Sequence, residues 1–491
     1  VMTMSLVTVS AGAKDFTDNS KITYDEAVAV MSAAKVIDGY AEGDFRPTNT
    51  LTRGAAAKII CNLILGPTTA SALSAGTAPF KDVPVTNTFA GYITYCSQQG
   101  IISGYADGTF RPTGTLSGNA FMKMLLGALG YDSSIEGYTG ANWQVSVIKQ
   151  ASGIGLDDGN DEFVGSQAVT RQEAALYAFN MLQATMVEYD KKDTIVVGGV
   201  EITSTSTRKE EENPIEKDNT IEKDEKMQFA ERYFDDLQKA PGEADDFGRP
   251  SNIWTLKSDE IGTYANMDQL VGTYTAKVSK SDVYEAVGRT VYNDLTDGKS
   301  DLTVWFDGVE TPVKTADVED YVERNNTGAV NNTANGDLTE IYVDTDAEET
   351  TVVVINTYLA EVSADYNTKT EDVRLDVYTG VKKAAAAGQT PTTISTTYTV
   401  ESEDVDGLEK LKEDDMVLVT IAKGDVMTVT PVETVKDVAI TSYSTDYADA
   451  DKKDEYKLTK LTAGGNKYET AKKAFEDAEV LYDYNVEQLD D

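Results

Sequence analysis

Gly104-Tyr-Ala-Asp-Gly-Thr-Phe-Arg-Pro-Thr-Gly-Thr-Leu-Ser117 occurs once more, almost unchanged, as Gly39-Tyr-Ala-Glu-Gly-Asp-Phe-Arg-Pro-Thr-Asn-Thr-Leu-Thr52. Aligning Phe163 with Phe45 and Phe110 uncovers a third, degraded copy, in which Val169-Thr170-Arg171 falls on Leu51-Thr52-Arg53. Self-similarity at a fixed period marks units that cannot each bury their own apolar face and must stack on their siblings.

Each copy sits between two helical patterns. In the first repeat, Phe16-Thr-Asp18 leads into a helix that starts near Tyr24, with Ala27, Val30, Met31 and Ala34 at helical spacing. The loop follows, with two glycines expected at positive φ, Phe45 as its core anchor and a proline that cannot continue a helix. A second helix is predicted over Arg53–Leu65, stopped by Gly66-Pro67. The second repeat predicts helices over 89–98 and 118–129, and the third over 143–151 and 171–186, with an irregular loop at 155–167. Residues 68–78 read as linker.

Thr52 and Thr170 are natural N-caps, and Thr170 with Glu173 forms a capping box. Directly after each cap stands an arginine, Arg53 or Arg171, where a cation opposes the helix dipole by about 0.3–1 kcal/mol. A bound anion would offset this, held by free helix amides and a guanidinium fork. A solvated surface charge is the plainer alternative. Arg46 and Arg111, each before a proline, read as loop braces, and Tyr40 and Tyr105 as packing residues with an exposed hydroxyl.

These residues resemble the S-layer homology module, whose pattern is an aromatic-x-Asp opening, a helix, Gly-Tyr-x-Asp-Gly-Thr-Phe-Arg-Pro, and then Thr-Arg-x-Glu before a second helix. The resemblance covers residues 14–190. It implies three tandem modules closed into a mostly helical pseudo-threefold trimer, with grooves that bind secondary cell-wall polysaccharide, often pyruvylated, through the motif arginine. Carried over by position, Arg53 and Arg171 bind anion, while the second repeat has Ser117-Gly118 there, leaving at most two competent grooves. The resemblance adds Asp18 and Asp82 from the opening motif (Gly140 in the third repeat), loop residues Gly39 and Gly104, and cap residues Thr52 and Thr170. The sugar-stacking aromatic is Trp143 in the third repeat, with Phe89 and Tyr24 as its counterparts. A core role for Trp143 stands as the alternative.

Composition narrows the partners. With 43 basic residues against 83 acidic ones the net charge is −40, and histidine is absent. Nucleic acid and anionic membranes are poor partners for such a chain, and His-based triads or zinc sites are excluded. Self-assembly into a surface lattice would need divalent cations or salt to screen repulsion. Asp157-Asp-Gly-Asn-Asp161 lacks the spacing and terminal glutamate of an EF-hand loop, so calcium remains only a weak option and no cofactor is expected. Cys61 and Cys96 read as buried thiols, with a single bridge also open.

The expected organisation is multidomain. Residues 1–13 are read as an export-signal remnant or a short strand, with 14–66, 80–130 and 138–190 as the repeats. Residues 191–250 are read as charged linker containing a short helix within 226–239, and 251–390 and 391–491 as two all-β, sandwich or barrel-like domains, with a divide near Asn325 to Asn335 as the alternative to one near Pro391, the second truncated after a helical end beyond Tyr468. Period-two alternation at Val373, Leu375, Val377 and at Val417, Val419, Ile421 supports the strands, as do hairpin turns at Asp307-Gly308 and Lys423-Gly424. Thr351 to Ile355 reads as a strand buried on both faces. The function expected is non-covalent wall anchoring with the β part as display or lattice region. A wall-anchored glycoside hydrolase or adhesin is the alternative.

Overall fold

The computed structural model describes residues 16–190, 194–197, 200–203, 206–213, 221, 225–333, 336–382, 392–402, 404–405, 407–432, 438–447 and 456–469. The expected signal remnant, the divide near Pro391 and the helical end after residue 469 lie outside them. The described residues fall into two compact bodies, one within 16–242 with 252–264, the other within 243–251 with 265–469.

The first body holds α1 (Asp25–Ala33), α2 (Arg53–Leu65), α3 (Pro67–Ser71), α4 (Ala90–Gln98), α5 (Gly118–Ala128), α6 (Trp143–Gly153) and α7 (Arg171–Gln183). Helices pair across repeats: α1 packs on α7, α2 on α4, and α5 on α6. At the helix starts, Leu51 N donates to Val169 O (2.8 Å), Val169 N to Leu116 O (2.9 Å), and Leu116 N to Leu51 O (3.0 Å). One segment of each repeat thus feeds the next in a closed ring. Phe45 and Phe110 are buried beneath their loops, as expected of anchors. The stretch read as linker opens with α3, because Pro67 at its first position lacks the N–H that would go unpaired there. Cys61 and Cys96 are buried free thiols with sulfurs 3.5 Å apart.

After α7 come β1 (Val187–Tyr189), β2 (Thr194–Val197), β3 (Val200–Thr203), β4 (Arg208–Glu210), α8 (Phe229–Tyr233), β5 (Leu237–Pro241), β6 (Ser251–Leu256) and β7 (Asp259–Ala265). The described residues of the charged segment thus include paired strands: β1 pairs with β4 and β2 with β3. The helix expected over 226–239 shrinks to α8, and Leu237 joins a strand instead. Residues 252–264 belong with the helices, because Trp254 is fully buried, meets Phe179 edge-on at 5.3 Å and donates from Nε1 to Glu26 at 2.7 Å.

The second body contains β8 (Leu270–Tyr274), α9 (Lys280–Thr296), β9 (Asp301–Phe306), β10 (Val309–Val313), β11 (Leu338–Asp344) and β12 (Glu349–Ile355). Its first sheet runs β10-β9-β12-β11-β8, with β9 and β12 parallel and the other neighbours antiparallel. α9 corrects the all-β expectation. Val283, Val287 and Leu295 on α9 share a core with Val304, Ile341, Val352 and Val354 of the sheet, and Ser279 with Asp282 closes a capping box at its start. The second sheet is β13 (Thr357–Asn367), β14 (Asp372–Lys382), β15 (Thr392–Glu401), β16 (Met416–Ala422) and β17 (Asp425–Pro431), in antiparallel order β15-β14-β13-β16-β17. A third, three-stranded sheet joins β18 (Ile440–Tyr447), β19 (Tyr456–Ala463) and β20 (Asn466–Glu469), which takes in Tyr468. Both expected hairpin turns form, with positive φ at Asp307, Gly308, Lys423 and Gly424, and Thr350 to Ile355 is buried throughout. A buried ionic cluster also lies here: Arg249, 1% exposed, donates from Nε to Asp245 at 2.6 Å and sits 4.0 Å from Glu340, itself 1% exposed.

Among the described residues no helix is long and apolar enough to cross a membrane, and no cluster of acidic residues or cysteines has metal-binding geometry.

Candidate functional site

The starts of α2, α5 and α7 are built alike, each by its own cap and a neighbour's loop. Thr52 Oγ1 accepts from Ala55 N at 3.2 Å, Ser117 Oγ from Ala120 N at 3.4 Å and Thr170 Oγ1 from Glu173 N at 3.3 Å, with the capping box at Thr170 complete. The first two amides of each helix donate to carbonyls of the adjoining repeat. Arg53 N and Gly54 N reach Gly114 O and Pro112 O, Gly118 N and Asn119 N reach Gln167 O and Gly165 O, and Arg171 N and Gln172 N reach Asn49 O and Pro47 O. This corrects the expectation of free amides for an anion: repeat packing has already taken them. The Thr52 and Thr170 hydroxyls are engaged in capping.

What faces outward is the guanidinium group. Arg53 lies across the second repeat's loop, with Nε donating to Phe110 O at 2.8 Å, an Nη to Ser103 O at 3.2 Å, and its central carbon 5.0 Å from the Tyr105 ring centroid. Arg171 repeats the arrangement on the first repeat's loop, with Nε to Phe45 O at 2.8 Å, an Nη to Asp38 O at 2.7 Å and Tyr40 at 4.7 Å. Each guanidinium has five N–H donors, and these carbonyls use two. Neither side chain has an ion-pair partner among the described residues, and burial lowers the pKa of both. Elsewhere this acidic chain pairs its arginines readily, as at Arg46 with Asp44 and Arg111 with Asp107. Those two brace their own loops, with their central carbons 4.0 and 4.1 Å from the Tyr40 and Tyr105 ring centroids.

Arg53 borders a cleft of about 370 Å³ that gathers residues from all three repeats: Gly104 and Tyr105 from the second-repeat loop, Lys123 from α5, and Tyr138 and Trp143 from the third. Trp143 is half-buried and thereby joined to Arg53 rather than to Arg171 of its own repeat. Lys123, which sequence reasoning passed over, donates to Tyr138 O at 2.7 Å and stands 5.4 Å from the Trp143 ring centroid. Its signal was available, since Lys58 holds the matching place in the first repeat.

The remaining expected site residues divide differently. Phe89 packs on Gly54, where an added Cβ would lie 2.5 Å from its ring. Tyr24 stands among acids: burial and then Glu173, Glu162 and Asp161 raise its pKa. There Gly118 replaces the arginine, and a Cβ on it would come within 2.8 Å of the Phe163 ring. Gly39 and Gly104 are required for close approach and not for positive φ, which belongs to Gly43 and Gly108, because a Cβ on either would lie 2.4 Å from Phe16 or Phe80. Asp18 and Asp82 act as loop clamps. Asp18 accepts from Phe45 N and Arg46 N at 2.7 and 2.8 Å, and Asp82 from Phe110 N and Arg111 N, both at 2.7 Å.

Burial disfavours the Asp82 charge, but the two backbone donors outweigh it and hold its pKa below the ordinary value. The stabilisation is therefore present above the unfolded value of about 3.9 and is lost as pH falls through the lower folded value. Asp82→Asn is expected to cost about 1–2 kcal/mol at neutral pH. Melting curves of variant and parent should converge in acid, and coincident curves at pH 7 would remove the clamp.

Residues 15–57 and 79–118 match the S-layer homology domain family. The chain is 24% identical over 333 residues to the middle cell wall protein of Brevibacillus brevis, covering 66% of this chain and 29% of that protein. It is 26% identical over 160 residues to the surface layer protein of Brevibacillus choshinensis, covering 32% and 14%, and 33% identical over 116 residues to a cellulosome-anchoring protein of Acetivibrio thermocellus, covering 24% and 26%. The chain thus spans under a third of the length of each of these relatives.

Proposed function

Because residues 15–57 and 79–118 are S-layer homology domains of a secreted, wall-associated protein, we propose that the first body holds the chain non-covalently to an acidic secondary cell-wall polysaccharide. The three repeats act as one pseudo-threefold unit, a reading supported by the ring through Leu51, Val169 and Leu116. The observation that carries the proposal is the pair of half-buried guanidinium groups that have no ion-pair partner among the described residues, in a chain of net charge −40. A desolvated cation is stabilised by an incoming anion far more than a solvated one is. A pyruvyl ketal or uronic carboxylate fits the forked donors of Arg53, and the C–H face of a pyranose fits Trp143. The place built around Gly118 and Tyr24 carries acids and does not bind. The strand-rich second body serves as display or lattice surface, and the non-enzymatic reading draws support from the names of the relatives matched over the longest stretches.

Full-length chain mixed with purified wall should co-sediment with it, and should stay in the supernatant once the acidic polymer has been chemically stripped. Equal sedimentation with stripped wall would overturn the proposal.

A further inference from the structure

Lys123 is a further partly buried cation of the first body, beside Arg53 and Arg171. Several exposed lysines of this protein meet acids, as Lys280 does with Asp320, Lys299 with Asp294 and Asp297, and Lys423 with Asp246. Lys123 has no ion-pair partner among the described residues. Its ammonium is turned inward against the Tyr138 carbonyl and the Trp143 ring, in the wall of the cleft that Arg53 also borders. Lysines ordinarily extend the charged head into water. Burial here depresses its pKa.

We propose that Lys123 is a second ligand-contacting cation, so that the cleft takes a glycan segment with two anionic groups, one at Arg53 and one at Lys123, flanking the sugar seated on Trp143. This rests on the wall-binding reading above and adds its charge requirement. It also makes the two arginine sites unequal. In the first repeat Lys58 is exposed, and Phe89 stands where the third repeat has Trp143, so the Arg171 site recognises a single charge.

The test uses full-length chain carrying Arg171→Ala, titrated calorimetrically with the acidic polysaccharide fraction released from purified wall. Lys123→Gln is expected to weaken binding about tenfold, equivalent to about 1.4 kcal/mol, with melting temperature retained because the amide can still donate to Tyr138 O. Lys123→Arg should stay within about threefold of the parent, and Lys58→Gln should leave the affinity unchanged. Added salt should weaken Lys123→Gln less than the parent, one ion pair having been removed. If Lys123→Gln matches the parent in affinity and salt dependence while Arg53→Ala on the same background loses binding, Lys123 merely brackets Tyr138 and the proposal is overturned, with wall binding intact. Failure of Lys123→Arg to restore what Lys123→Gln loses would equally overturn it, pointing to packing. If Arg53→Ala has no effect either, the wall-binding reading itself falls.

Discussion

Replacing Arg53 and Arg171 together by alanine should abolish retention on purified wall, with each single change costing about 10- to 100-fold. A charge-assisted hydrogen bond contributes about 1.5–3 kcal/mol, and a forked pair from one guanidinium adds geometric fit. Two sites engaging one polymer also reinforce each other through effective concentration, so the double variant loses more than either single one. Stability should change little. Alanine gives up hydrogen bonds to Phe110 O and Ser103 O, or to Phe45 O and Asp38 O. It also removes a partly desolvated cation that has no ion-pair partner among the described residues, and the two effects oppose one another. Arg53→Lys should behave almost as badly as alanine in binding, because a single ammonium cannot both brace the loop and present a fork. Unchanged retention by a double variant with native circular dichroism would dismiss both arginines from the site.

Arg249→Leu should destabilise the second body by about 3–5 kcal/mol, the usual result of removing one partner from a buried ion pair. Asp245 and Glu340 would be left without their cation, and Glu340 is nearly inaccessible to water. Burial already raises the Glu340 pKa, with Arg249 and the Tyr342 hydroxyl opposing that rise. A carboxylate whose folded pKa lies above its unfolded one favours folding only below that range and works against it as pH rises. The variant should therefore recover part of its deficit as pH falls from neutral towards about 5. Adding Glu340→Leu should restore much of the loss, because a packed apolar pair can replace a buried ionic one. Calorimetry of the full chain reads this as a fall of roughly 10 °C in one transition, partly reversed in the double variant. An unshifted transition would show that the cluster does not hold this body together.

How much of this was legible from sequence depended on how local each determinant is. Helix boundaries at Arg53–Leu65 and the turns at Asp307-Gly308 and Lys423-Gly424 came through because caps, glycines and periodicity act over a few neighbouring residues. α9 was equally local, with a capping box at Ser279 and valines at 283, 287 and 291, but it was lost among the surrounding period-two segments. The fate of the helix-start amides was beyond local reading, since their acceptors Gly114, Gln167 and Asn49 lie in other repeats. The same non-locality hid the joining of Trp143 to Arg53. The clamping role of Asp18 and Asp82 is hidden for a different reason: a carboxylate in a repeated motif looks the same whether it meets a ligand or two backbone amides.

The circuit of backbone hydrogen bonds through Leu51, Val169 and Leu116 leaves no open end. A stacked array can gain or shed copies at its termini, but here a fourth copy would find every donor and acceptor occupied, and deleting one would strip a neighbouring helix of the carbonyls that cap it. On the proposed reading, the number of sockets can therefore drift only by substitution within a fixed count, as at Gly118. Binding valency in such a molecule is set one side chain at a time.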